Sequence, residues 1–335
     1  MKRKVHFRPV VLVLAFVPTL AAADTRIERT LRLDPGGEFR LEAGAGSVTV
    51  TGSSEPGAHV VVTSRRSDIE RVFDLQFEER PGAVEVTARR KRRLLFDVGN
   101  YGSLHFEVRV PAPTRLQIDT SGGSIRVTGT RGDADLETSG GSVNTTDLAG
   151  ALDVSTSGGS VAVDRLDGDV RATTSGGSVR VRDVKGRVEV QSSGGNIEGN
   201  ALGGPVRART SGGSVELREI GADVDAQTSG GSIEITGARG RVNAESSGGS
   251  IRADLSEGNE AGGTLETSGG GILVKLDPKA NLEIDASGGP VTVDVPVRVQ
   301  GEISRRQIKG SLGSGGKTLR LHASGGSVRV EPRSR

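Results

Sequence analysis

Ser175-Gly176-Gly177-Ser178-Val179-Arg180-Val181 is one copy of a unit that decides the fold, because its Ser-Gly-Gly triplet recurs at a fixed spacing. The triplet begins at Ser121, Ser139, Ser157, Ser175, Ser193, Ser211, Ser229 and Ser247, each 18 residues after the last. Further units begin at Ser268, Ser287 and Ser324 after 21, 19 and 37 residues, with one more triplet, at Ser314, between the last two. A period of this length marks a repeat architecture in which each unit buries its apolar side chains only by stacking on its neighbours.

Numbering the unit from 1 at the serine, positions 5, 7, 10, 14 and 16 are apolar: Val179, Val181, Val184, Val188 and Val190 in this copy. Alternation with polar residues predicts two short strands per unit, over positions 4–8 and 13–17, with these five side chains inward. One corner is the triplet itself, for which Gly122, Gly123, Gly140, Gly141, Gly158, Gly159, Gly176 and Gly177 are the expected turn glycines. The other corner ends in glycine at position 12, as at Gly168 and Gly186, with Ala222 the exception. Positive φ and close backbone approach are the two reasons glycine suits such corners.

The reading is an all-β, single-stranded parallel β-helix (β-solenoid), expected to be right-handed and flattened. Eleven triplet-started units at about 4.8 Å per coil give a rod on the order of 50 Å long. The nonapeptide calcium code fails because no Asp holds the ligand position in successive copies. A left-handed hexapeptide helix fails because the apolar positions are not six apart.

Upstream, Lys2, Arg3, Lys4 and Arg8 precede an apolar run from Val10 to Val17 and then Ala21-Ala22-Ala23. That order is a secretory signal peptide, with cleavage expected after Ala23 and a mature chain carrying about two net negative charges. The run is too short to span a bilayer. The sequence holds no cysteine, so neither disulfides nor a lipoprotein anchor is expected, and a periplasmic, cell-surface or secreted location follows. Domain boundaries are read as 1–23 signal peptide, 24–115 N-terminal β-rich cap with irregular first coils, and 116–335 solenoid. Gly44 to Val50 is a degenerate triplet unit, which starts the solenoid near residue 38, and Val328 and Val330 close the last coil. The eight aromatic residues all precede residue 107.

Candidate chemistry is sparse. Position 15, read down the stack, gives Asp135, Asp153, Arg171, Glu189, Arg207 and Asp225. From Asp153 on the sign alternates, a ladder expected to pair coil to coil, and Asp164 with Arg182 and Glu198 with Arg180 suggest the same. His59, His105 and His322 have no metal or triad spacing. The hydroxyls at positions 18, 1 and 4 either order water on a flat face or satisfy turn backbone groups, and the second is the simpler reading. Arg89-Arg90-Lys91-Arg92-Arg93 is a solvated loop or a grip on an anionic ligand. No aromatic interleaving supports nucleic-acid binding.

With its leader, the stretch VPAPTRLQIDTSGGSIRV (Val110 to Val127) and repeated TSGGSVxV units, the chain resembles a bacterial family of "putative adhesins" of unknown function built on such repeats. The resemblance implies a non-enzymatic β-helix of the cell envelope, without cofactor and with an envelope polymer or protein as partner. Two other readings compete with adhesion. One is a polysaccharide lyase or hydrolase using Asp254, Glu257 or Asp277 in the irregular copies. The other is a periplasmic stress-sensing or partner-binding module.

Overall fold

A computed structural model describes residues 25–65, 69–91, 104–299 and 304–333. Two long sheets, of fifteen and sixteen strands, face each other, and every 18-residue coil gives one strand to each. In the quoted copy these are Val179–Val184 and Val188–Ser192. Val179 lies in parallel register between Val161 and Ile197, and Val188 between Val170 and Val206. Val179, Val181, Val184, Val188 and Val190 all point inward and are no more than 2% exposed. The expected inner positions and the β-solenoid are therefore confirmed. Only the turn Ile69–Val72 is helical among the described residues.

The strands occupy positions 5–10 and 14–18 rather than 4–8 and 13–17, for a reason visible in the apolar spacing. Inward positions 7 and 10 are three apart, which simple alternation cannot produce. At position 9 the backbone is left-handed: φ is 57°, 58°, 51°, 55° and 57° at Asp147, Arg165, Asp183, Ala201 and Glu219. Glycine takes the same place at either end of the series, at Gly129 and Gly237. One left-handed residue acts as a bulge that returns position 10 to the interior. Each non-glycine residue so placed costs about 1 kcal/mol or more, and the stacking above and below holds it there.

The triplet corner needs its glycines for another reason than the one expected first. None of Gly122, Gly123, Gly140, Gly141, Gly158, Gly159, Gly176 or Gly177 has positive φ. What matters is approach. A Cβ on Gly141, Gly159 or Gly177 would lie under 3.0 Å from the carbonyl oxygen of the glycine one coil before, whereas one on Gly176 would lie 3.5 Å from Gly158 O. Hydroxyls complete the corner. Thr174 Oγ1 donates to Gly159 O at 2.8 Å and accepts from Gly177 N at 3.2 Å. The arrangement repeats at Thr156, Ser192, Thr210 and Thr228. At position 4, Ser160 Oγ accepts from Ser178 N one coil on. The turn-satisfying reading of positions 18 and 4 is the one the structure bears out.

Two other buried threonines lack this partnership. Thr145 and Thr130 sit where neighbouring coils carry Val or Leu, and their Oγ1 atoms have no hydrogen-bond partner among the described residues. The same substitution should thus act with opposite signs. Thr174→Val strands two buried backbone groups and lowers stability by about 2 kcal/mol, while Thr145→Val removes an orphaned hydroxyl and raises it by about 1 kcal/mol. Denaturant midpoints of the two variants decide this; a loss of stability in both would refute the assignment.

Stacking order departs from chain order at both ends. Glu38–Ala43 and Ser47–Ser53 form a coil lying between Ala83–Arg90 with Leu104–Pro111 on one side and Arg115–Thr120 with Ile125–Thr128 on the other. The expected unit at Gly44 to Val50 is real: Val48 and Val50 register with Ile125 and Val127. Beyond it, Thr25–Leu31, Ala58–Ser64 and Phe73–Arg80 pair antiparallel and cover the end.

At the other end, Lys317–Ala323 and Val328–Pro332 slot between Gly263–Thr267 with Ile272–Leu276 and Leu282–Gly288 with Val291–Val293. Val328 and Val330 therefore do not close the stack; they lie one coil inside it. Antiparallel strands Gln307–Leu312 and Val297–Val299 finish that end. Antiparallel, charged or very short outer strands blunt the exposed edges of both sheets.

Candidate binding surface

Position 15 faces outward on the sixteen-stranded sheet, and the expected column is in register from Asp135 to Asp225. It does not pair continuously. Arg171 binds Glu189 at 3.2 Å and Arg207 binds Asp225 at 3.1 Å, leaving Asp135 stacked directly on Asp153 with no ion pair to either among the described residues. Like charges opposed in register are unfavourable.

These two carboxylates line a cleft of about 500 Å³ that also takes in Asp133, Asp169, Arg115 and Arg187. Asp133 and Asp169 are occupied, each accepting a backbone N–H from the next coil, from Ala151 at 2.9 Å and Arg187 at 2.8 Å. Asp135 and Asp153 are the two acids of the cleft that make neither an ion pair nor a bond to the next coil among the described residues. Partial burial, then the charge of Asp135, pushes the Asp153 carboxyl above its usual range.

A carboxyl whose pKa is higher folded than unfolded favours the protonated native state. It weakens the fold at neutral pH, and the penalty fades as pH falls through the folded value. Asp153→Asn should accordingly raise the melting temperature at pH 7 and lose that advantage below the carboxylate range. A gain that stays constant with pH would show that charge is not the cause.

On the opposite sheet several outer charges pair from coil to coil. Arg180 Nε meets Glu198 at 2.7 Å, which holds the Glu198 carboxyl below its usual range. Lys185 meets Asp167 at 2.7 Å. Asp164 and Arg182 are in register, but Asp164 pairs with Arg165 of its own strand, so this expected pair is not made. Arg165 also reaches back to Asp147, at 3.0 Å.

Of the basic run, Arg89 donates to Glu42 at 3.2 Å and Lys91 Nζ to Glu70 O at 2.8 Å. Arg90 ends the strand Ala83–Arg90, and Arg92 and Arg93 lie outside the described residues, as does the leader. Each of the three histidines among the described residues sits on a strand beside a hydroxyl: His59 by Thr30, His105 by Ser47, His322 by Ser287.

Two of the three acids of the carbohydrate-enzyme reading have structural partners. Asp254 faces Arg333 at 3.3 Å, and Asp277 accepts from Lys279 N at 2.9 Å and Gly258 N at 3.2 Å. Glu257 is exposed beside Gly258. Among the described residues no group of three His, Cys, Asp or Glu could hold a metal ion, and no helix is long and apolar enough to cross a membrane.

Residues 208–331 match the Toastrack DUF4097 family. Solved structures similar to the chain include a "putative adhesin" from Bacteroides fragilis, 12% identical, covering 92% of this chain and 99% of that one with a TM-score of 0.36. A "putative lipid binding protein" from Parabacteroides distasonis is 14% identical, covers 91% and 97%, and scores 0.36. A "putative cell adhesion protein" from Clostridium sporogenes is 11% identical, covers 92% and 100%, and scores 0.21. No curated protein matches the chain. The family resemblance read from the triplet repeat stands.

Proposed function

We propose that this chain, with Toastrack DUF4097 sequence in its C-terminal part, is an exported, non-catalytic β-solenoid that works at the cell envelope by adhesin-like binding. The observation that carries the reading is the division of labour on its surface. Arg171, Arg180 and Arg207 are spent on coil-to-coil pairs, and within the polar cleft Asp135 and Asp153 lie in register with no ion pair among the described residues. A carboxylate left unpaired at a cost to stability is what selection for contact with a cationic group would leave.

The basic run from Arg89 to Arg93 is the second candidate contact, for anionic polymers. Binding of the purified mature chain to whole cells and envelope fractions tests both. Asp135→Asn with Asp153→Asn should weaken binding about tenfold, about 1.4 kcal/mol. Serines at 89–93 should weaken it separately if that run also contributes. Binding unchanged in both variants, or product release from an acidic polysaccharide, would overturn the proposal.

A further inference from the structure

The last coil in sequence is not the last in space, and what precedes it is a glycine-rich turn. Residues 317–333 follow Gly313-Ser314-Gly315-Gly316, in which Gly313 and Gly315 have φ of 60° and 79°. They enter a slot whose two walls, the coils 263–276 and 282–293, are joined to each other through residues 277–281. The walls therefore exist before the coil arrives. Leu319 and Leu321 lie between Gly263 and Leu265 on one side and Ile284 and Ala286 on the other, and Val328 and Val330 between Ile272 and Val274 and Val291 and Val293. Arg333 then latches beyond the slot, donating to Leu276 O and Leu255 O and facing Asp254.

We propose that this slot also accepts the C-terminal coil of a second copy, so that two chains pair by exchanging residues 317–333. Every ladder bond, apolar contact and latch of the inserted coil is available identically from a partner chain. Exchange therefore re-routes only the four-residue turn, giving up the bonds of Ser314 to Asn281 and of Gly315 N to Leu312 O, and that segment spans about 13 Å when extended. The choice is made during folding, while the slot is open. Once seated, the coil is held by two neighbours in each sheet, and withdrawal requires breaking both pairs of ladders together. Pairing therefore depends on concentration during folding and is retained on dilution.

Because the chain has no cysteine, a disulfide can report which copy supplies the coil. Thr264 and Arg320 are register partners on the outer face. One full-length mature chain carrying Thr264→Cys and another carrying Arg320→Cys would be unfolded, mixed, refolded and oxidised with glutathione disulfide. The expected result is a mixed covalent dimer whose yield rises with refolding concentration, and almost none when the folded chains are mixed. Sedimentation of the unsubstituted protein should show a dimer fraction that follows the refolding concentration and survives dilution. The proposal is overturned if that protein sediments as a monomer after refolding at every concentration. It is equally overturned if no mixed dimer forms while the Thr264→Cys, Arg320→Cys double variant closes its disulfide within one chain.

Discussion

Val179→Asp should destabilise the protein by about 4 kcal/mol or prevent folding, because an unpaired carboxylate would enter an aliphatic interior too narrow for water. Val179 is 0% exposed and is stacked on Val161 and Ile197, with no donor facing it. One residue along, Arg180 points outward and holds Glu198. Arg180→Ser should cost under about 1 kcal/mol, the usual worth of an exposed ion pair. Equal melting temperatures for these variants would mean that inward and outward faces have been exchanged. A one-residue slip in register would do that along the whole strand.

The second large effect separates two adjacent glycines. Gly177→Ala should cost about 3 kcal/mol, since its methyl would meet Gly159 O and the whole stack above would have to move to relieve the clash. Gly176→Ala should change stability by less than about 0.5 kcal/mol, because its methyl finds ordinary contact distance. The pair distinguishes stacking distance from backbone conformation as the reason for the motif. If the glycines served turn conformation, both changes would be damaging.

The inward set was legible because five apolar positions repeat without drift, and a parallel stack needs nothing more to align them. The left-handed residue at position 9 was also encoded, in the three-residue step between positions 7 and 10 and in Gly129, Asp147, Asp183 and Gly237, residue types that tolerate that conformation. Reading each strand as plain alternation concealed it. The order of coils at the ends was not legible for a deeper reason. SGG coils are interchangeable as neighbours, since each offers the same ladder and the same small corner, so sequence distance alone cannot say that residues 317–333 lie between two earlier coils. The spacings of 19 and 37 residues after Ser268 and Ser287 marked irregularity without its geometry.

The cleft escaped for a similar reason. Alternating signs at Asp153, Arg171 and Glu189 suggested a continuous ladder, but Arg171 makes an ion pair with only one of its two acidic neighbours. Arg171 turns to Glu189 and leaves Asp153 against Asp135. Which neighbour an arginine chooses depends on side-chain geometry that a column of letters does not contain.

The account rests on the chain being displayed where a partner can reach it. A C-terminally tagged protein, probed by antibody and by protease on intact cells and again after lysis, tests that most directly. The account predicts that antibody and protease reach the protein on intact cells to nearly the extent seen after lysis. Access gained only on lysis would contradict it and would place the binding surface among periplasmic polymers and partners instead.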